Sequence, residues 1–67
     1  PFDALTPRER EVLSHLVAGR TYAEIAEALF IGEKTVSTHV SHLLHKTGTQ
    51  SRREVSVLFQ RARTSQP

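Results

Sequence analysis

The segment from Leu29 to Val40 carries the residues whose types and spacing best suit contact with another molecule. It begins as the apolar end of a helix, passes through a short turn, and continues as a helix that opens with small polar and basic residues. A helix that enters the major groove of DNA needs a thin, hydrogen-bonding N-terminal half and an apolar back that holds it on the domain. The segment is therefore typical of a helix-turn-helix, and no other part of the sequence is as specific.

Charge is unevenly distributed along the chain, although the net charge is only +2. Residues 1–33 carry three basic and six acidic side chains, whereas residues 34–67 carry six basic and one acidic. Three of the four histidines, His39, His42 and His45, also lie in the basic half. A basic half that contains a groove-sized helix is an electrostatic footprint for phosphate, but an ordinary solvated face explains the imbalance equally well on charge alone.

Three helix starts share one signature, in which a capping hydroxyl is followed three residues later by glutamate. These capping boxes begin at Thr6, Thr21 and Ser51. Gly19 and Gly48 predict left-handed helix ends, because a residue without a Cβ adopts that conformation at little cost. We therefore predict an all-α fold, a four-helix bundle that contains the helix-turn-helix, with helices at about residues 7–18, 22–29, 33–46 and 52–62.

The third predicted helix has two distinct faces when its residues are placed at about 100° intervals. The inward face collects Val36, Val40, Leu43, Leu44 and Thr47. The outward face collects Lys34, Thr38, Ser41, His42 and His45, with Ser37 and His39 on its flanks. In the turn before this helix, Phe30 and Ile31 are predicted to plug the core as apolar side chains.

Length and composition bound the class of protein. Sixty-seven residues make one small domain, and the absence of cysteine excludes disulfides and thiolate metal sites. The sequence has no apolar run long enough to cross a bilayer and no signal-peptide pattern, so we expect a cytoplasmic protein without a membrane partner. Because the sequence opens abruptly at Pro1 and soon starts a helix, we expect a piece of a larger protein.

A series of short motifs covers about residues 4–62 without a gap. The motifs are Leu5-Thr6-Pro7-Arg8-Glu9-Arg10-Glu11-Val12-Leu13, Gly19, Glu24-Ile25-Ala26, Leu29-Phe30-Ile31, Glu33-Lys34-Thr35-Val36 and Thr38-His39-Val40. This series resembles the LuxR-type (NarL/FixJ, GerE) DNA-binding domain. The resemblance implies that residues 1–67 are a single domain, the C-terminal part of a bacterial transcription regulator such as a response regulator. It also implies a dimer that binds inverted half-sites in double-stranded DNA.

The resemblance makes the third helix the recognition helix and places base contacts at Ser37, Thr38 and Ser41. Many relatives have lysine at the first of these positions and some have it at the third, whereas this chain has serine at both. Two long cationic side chains that could bind guanine are therefore missing. Specificity could instead involve bridging water, DNA shape, Lys34 or His42.

Phosphate contacts are expected at the starts of two other helices. Tyr22 and Ala23 replace an Asn-Lys pair that is common in relatives, and the hydroxyl of Tyr22 could supply the contact. Arg52 and Arg53 lie in the first turn of the fourth helix, whose N-terminus is expected to face the DNA backbone. The predicted DNA-contacting residues are Tyr22, Lys34, Thr35, Ser37, Thr38, His39, Ser41, His42, Lys46, Arg52 and Arg53.

The fourth helix is the dimer interface that the resemblance implies. Val57 points away from the inward stripe of this helix, and Glu54 and Arg61 flank it. We expect these three side chains to meet their copies across a twofold axis. The buried area would be small, so the isolated domain could be monomeric and dimerise only on DNA.

Two catalytic or metal-binding hypotheses are disfavoured. His39, His42 and His45 suggest a metal site, but histidines six positions apart leave the same helix face, and no cysteine or adjacent carboxylate completes the shell. A serine hydrolase would need an acid to orient a histidine and a pocket that so small a domain hardly offers. We therefore predict no cofactor and no enzymatic activity.

Three functions remain open. The first is sequence-specific DNA binding in transcription regulation. The second is promoter recognition like that of a sigma-factor C-terminal region, which predicts monomeric binding and a contact with RNA polymerase. The third is a helical protein-interaction module without strong DNA affinity, which the two missing lysines favour.

Overall fold

The computed structural model describes residues 2–64, which form one 3₁₀ helix and four α-helices. The 3₁₀ helix is Phe2–Ala4, and it is followed by α1 (Pro7–Val17), α2 (Tyr22–Leu29), α3 (Glu33–Thr47) and α4 (Arg52–Thr64). The prediction of an all-α, four-helix domain is confirmed. Helix α1 ends one residue before the predicted bound, α3 ends one residue after it, and α4 ends two residues after it.

Reciprocal hydrogen bonds fix the starts of α1 and α2. The hydroxyl of Thr6 accepts from the amide of Glu9 at 3.2 Å, and the Glu9 carboxylate accepts from the amide of Thr6 at 2.9 Å. The same pair of bonds joins Thr21 and Glu24, at 3.1 and 2.8 Å. Each cap supplies partners for helix N–H groups that would otherwise lack them, which stabilises the helix by about 1 kcal/mol.

Residues close in sequence also fix the start of α4 and the C-terminal ends of α1 and α3. The amide of Glu54 donates to the hydroxyl of Ser51 at 3.1 Å, which caps the start of α4. Gly48 ends α3 with φ +70°, and Gly19 follows α1 with φ +83°, so both glycines adopt the predicted left-handed conformation. The chain can therefore reverse sharply after both helices without steric cost.

The core lies between all four α-helices. Helix α3 contacts the other three α-helices and also the short 3₁₀ helix. Its buried apolar residues are Leu5, Val12, Leu13, Leu16, Ile25, Ala26, Val36, Val40, Leu43 and Val55. The predicted inward stripe of α3 is thus confirmed, since Val36, Val40, Leu43 and Thr47 are all buried. The aromatic rings of Phe2 and Phe59 close one end of the core with an edge-to-face contact of 5.4 Å between centroids.

The prediction that Phe30 plugs the core is wrong. Its side chain is 94% exposed, while Ile31 packs against the core as predicted. Phe30 ends α2 in a left-handed conformation, with φ 58° and ψ 43°, and the following amide of Ile31 returns to the carbonyl of Ala26 at 3.0 Å. This reversal turns the side chain of Phe30 to solvent and directs Ile31 inward, in the arrangement common at helix C-termini.

Candidate DNA interface

The outward face of α3 presents a row of short polar side chains. Thr38 and Ser41 are exposed and lie opposite the buried stripe that anchors the helix, with exposed Ser37 on the flank and the longer side chain of exposed Lys34 one turn earlier. The hydroxyl of Thr38 donates to the carbonyl of Lys34 at 3.1 Å. A helix with a buried back and short polar groups along its N-terminal half can approach the edges of bases in the major groove.

The first turn of α3 is open at its N-terminus. Gly32 occupies the cap position and makes no side-chain capping bond, so the first amides of α3 receive no side-chain acceptor there. Thr35 lies in this turn and is exposed, whereas His39, one turn later, is half-buried. Uncapped helix amides carry partial positive charge, and a DNA phosphate is an acceptor of the type they bind.

A second cluster joins the starts of α2 and α4. The guanidinium of Arg52 donates to the carbonyl of Arg20 at 2.5 Å and lies 5.6 Å from the centre of the Tyr22 ring. The Arg20 guanidinium in turn contacts Nδ1 of His15 at 2.6 Å. The structure thus brings two predicted phosphate ligands, Tyr22 and Arg52, into one basic corner. The sequence alone did not predict this contact. Arg53, the next residue of α4, is exposed and lines the cleft beside Glu54 and Val57 instead.

A buried carboxylate binds the opposite end of α3. Lys46 Nζ lies 2.8 Å from Glu9 Oε1, and His42 Nδ1 lies 3.9 Å from Glu9 Oε2. Burial raises the pKa of the Glu9 carboxyl, but hydrogen bonds from Lys46 and Thr6 and the charge of Lys46 together hold it below its usual value. Lys46 was predicted as a DNA contact; the structure places its ammonium group against Glu9 of α1, and the DNA contact stays a prediction.

The outer face of α4 carries the three residues that were predicted to form the dimer interface. Val57 is 45% exposed, which confirms that it points away from the core, and Glu54 and Arg61 are exposed on the same helix. These residues line an open cleft with Thr47, Gly48 and Thr49 at the end of α3. An exposed valine is ordinary on a monomer, so the dimer remains a prediction.

Among residues 2–64, the side chains of His, Cys, Asp and Glu form no group of three or more that could hold a metal ion. His42, one of the three clustered histidines, lies near Glu9. None of the helices in this part of the chain is long and apolar enough to cross a membrane.

Comparison with known proteins gives a match over most of the chain. The family model "Bacterial regulatory proteins, luxR family" matches residues 3–59. The uncharacterized transcriptional regulatory protein YhcZ of Bacillus subtilis (strain 168) is 49% identical over 53 residues, which are 79% of this chain and 25% of YhcZ. The nitrate/nitrite response regulator protein NarP of Escherichia coli (strain K12) is 41% identical over 66 residues, 98% of this chain and 31% of NarP.

A shorter relative is covered more completely. The spore germination protein GerE of Bacillus subtilis (strain 168) is 49% identical over 53 residues, which are 79% of this chain and 72% of GerE. By contrast, the chain spans between a quarter and a third of the length of YhcZ and NarP. The family match and the all-α fold agree with each other, and the chain belongs to the LuxR family of bacterial regulatory proteins as a DNA-binding, helix-turn-helix domain of a transcription regulator.

Proposed function

We propose that this domain binds specific DNA sequences by placing α3 in the major groove. The exposed row on α3 is the observation that carries the proposal, because short polar side chains lie directly opposite a buried apolar stripe. Ser37, Thr38 and Ser41 are the proposed base contacts, and Lys34, Thr35, His39 and His42 surround them. A recognition helix reads base edges with its N-terminal residues, and these positions lie in the first three turns of α3.

The basic corner would hold the DNA backbone. Arg52 and Tyr22 are positioned against each other, and Arg53, which is exposed, adds a second cation in the first turn of α4. Contacts of this kind fix the register of the protein on the duplex without discriminating between sequences. We therefore assign phosphate binding to the corner and base recognition to the row on α3.

The domain would act in pairs as part of a longer regulator. YhcZ and NarP are about three to four times as long as the segment that matches this chain, which supports a parent protein with further domains, of which this domain is the C-terminal part. Val57, Glu54 and Arg61 offer a small surface for twofold pairing on inverted half-sites. Because the target is chromosomal DNA, we place the regulator in the bacterial cytoplasm.

Salt-dependent binding tests this function. We assume about four phosphate contacts per subunit, for which the logarithm of the association constant should fall with a slope near −3.6 against the logarithm of salt concentration. Arg53→Gln should reduce the slope by about 0.9 and weaken specific and scrambled duplexes equally. Ser41→Ala should weaken the specific duplex more. Arg10→Gln, which removes an exposed arginine of α1 outside the proposed contacts, is the charge-matched control.

Two results would contradict the proposal. Binding that is unaffected by salt would exclude docking on the phosphate backbone. An equal loss on specific and scrambled DNA for Ser41→Ala would remove Ser41 from the base contacts. Fluorescence anisotropy with labelled duplexes measures both quantities on the same samples.

A further inference from the structure

The hydroxyl of Thr38 already has a hydrogen-bond acceptor within the protein. Its Oγ1 donates to the carbonyl of Lys34, four residues earlier, at 3.1 Å. A hydroxyl has one hydrogen to donate and two lone pairs to accept with. Because that hydrogen is directed to the helix backbone, the exposed side chain of Thr38 offers DNA only a methyl group and an acceptor.

Thr38 also occupies the centre of the exposed row. Lys34 lies one turn before it and Ser41 one turn after it, with Ser37 alongside, and all are exposed. Neither serine can make the paired donor contact with guanine that an arginine or lysine makes. The base pair that faces the middle of α3 would therefore contact Thr38, and neither Ser37 nor Ser41 places a long cationic side chain beside it.

We propose that Thr38 is a specificity-determining residue that selects thymine through contact between its methyl group and the C5-methyl of the base. The inference rests on the proposed function, in which α3 lies in the major groove. Thymine is the only base that presents a methyl group there, and threonine methyl groups are among its known apolar partners. The acceptor of Thr38 meets only acceptors on guanine and meets O4 on thymine, so it favours neither base, whereas adenine and cytosine present a donor but no methyl. The methyl contact is therefore what ranks thymine first, and guanine, which offers Thr38 neither a methyl group nor a donor, should rank last.

The test removes the methyl group from the protein, from the DNA, or from both, and compares the effects on binding. Duplexes are first selected from a random-sequence pool with the full chain, and each thymine of the selected site is then replaced singly by deoxyuridine. For wild type, one replacement should weaken binding about fourfold, which corresponds to ~0.8 kcal/mol for one buried methyl. For Thr38→Ser, that same replacement should have no effect, because the protein methyl is already gone.

Thr38→Val is the matched control, since it keeps a methyl group and loses the hydroxyl. It should remain sensitive to the same deoxyuridine, and all variants should melt at the wild-type temperature because residue 38 is exposed. Ser41→Ala should also keep the sensitivity. These comparisons form a double-mutant cycle across the interface, which isolates the contact between the two methyl groups.

Two outcomes would overturn the inference while leaving specific DNA binding intact. One is a deoxyuridine effect of equal size in wild type and Thr38→Ser at every thymine. The other is a selected site that places guanine at the position whose preference changes in Thr38→Ser. A pool from which no sequence is enriched would instead refute the specific binding on which the inference rests.

Discussion

Replacing Lys46 with methionine tests how α3 is held against α1. The substitution keeps a long apolar stem but removes the ammonium that lies 2.8 Å from the Glu9 carboxylate. The Glu9 side chain is only 4% exposed, so water cannot replace the lost partner easily. The amide of Thr6 remains as a donor at 2.9 Å, and His42 lies farther away at 3.9 Å.

The expected cost follows from the exposure of the two partners. A hydrogen bond to a charged group contributes about 1.5–3 kcal/mol, and breaking a fully buried ion pair costs about 3–5 kcal/mol. The Lys46 side chain is 33% exposed, so solvent already screens part of the attraction and the lower range applies. We expect Lys46→Met to lower the free energy of unfolding by about 2 kcal/mol at neutral pH, which is a fall of roughly 10 °C in Tm for a domain of this size.

The pH dependence separates this ion pair from simple packing. In the wild type the pKa of Glu9 is below its ordinary value of 4.5, so the stability that the ionised carboxylate contributes is present above that value and is lost as pH falls through the folded pKa. In Lys46→Met, burial acts on Glu9 without the lysine, which raises its pKa relative to wild type and favours protonation. The difference between the two proteins should therefore be largest at neutral pH and shrink in acid below 4.5.

Thermal melts followed by circular dichroism at neutral and acidic pH measure this difference. Lys34→Met is the matched control, because it removes an exposed lysine from the same helix and should melt like wild type. If Lys46→Met also melts like wild type at neutral pH, the pair does not hold α3. If its deficit is the same in acid, the loss comes from packing and not from the charge of Glu9.

Two other substitutions test single features of the surface. Phe30→Gly should leave the free energy of unfolding unchanged or raise it by up to about 1 kcal/mol, because it replaces a left-handed residue at φ 58° without removing a buried contact. Chemical denaturation measures this, and a loss of more than about 1 kcal/mol would mean that Phe30 packs on the domain. Val57→Glu should keep the wild-type Tm but abolish cooperative binding to a duplex with two inverted half-sites, with Ala28→Glu on α2 as the charge-matched control. Cooperativity that survives in Val57→Glu would place the dimer on another surface.

The helices could be predicted because their ends are encoded locally. Thr6 and Thr21 form their caps with residues three positions away, and Gly48 adopts the left-handed conformation its type allows. The failure at Phe30 has the opposite cause. Hydrophobicity predicted burial, but the backbone reversal at the end of α2 decided the direction of the side chain, and an aromatic residue gives no local sign of a left-handed conformation.

The candidate site could be predicted only in part. Helical periodicity was sufficient to place Thr38 and Ser41 on the exposed face of α3, because their direction follows from the helix alone. The bond from Arg52 to Arg20 spans 32 positions and that from Lys46 to Glu9 spans 37. Such contacts depend on how the helices pack, and no local pattern specifies them.

The contact between Lys46 and Glu9 changes how much basic charge remains for DNA. The second half of the sequence has six basic side chains, but the ammonium of Lys46 neutralises a buried carboxylate, whereas Arg52 keeps its charge when it donates to the backbone of the loop before α2. Fewer counterions would then be released per subunit than the count of lysines and arginines suggests, and each lost phosphate contact weakens binding and flattens its salt dependence. With one cation fewer for phosphate, the domain would depend more on the proposed pairing on two half-sites, since linking two weak contacts multiplies their effect. The internal ion pair is thus a physical reason to expect a weak monomer and a DNA-dependent dimer.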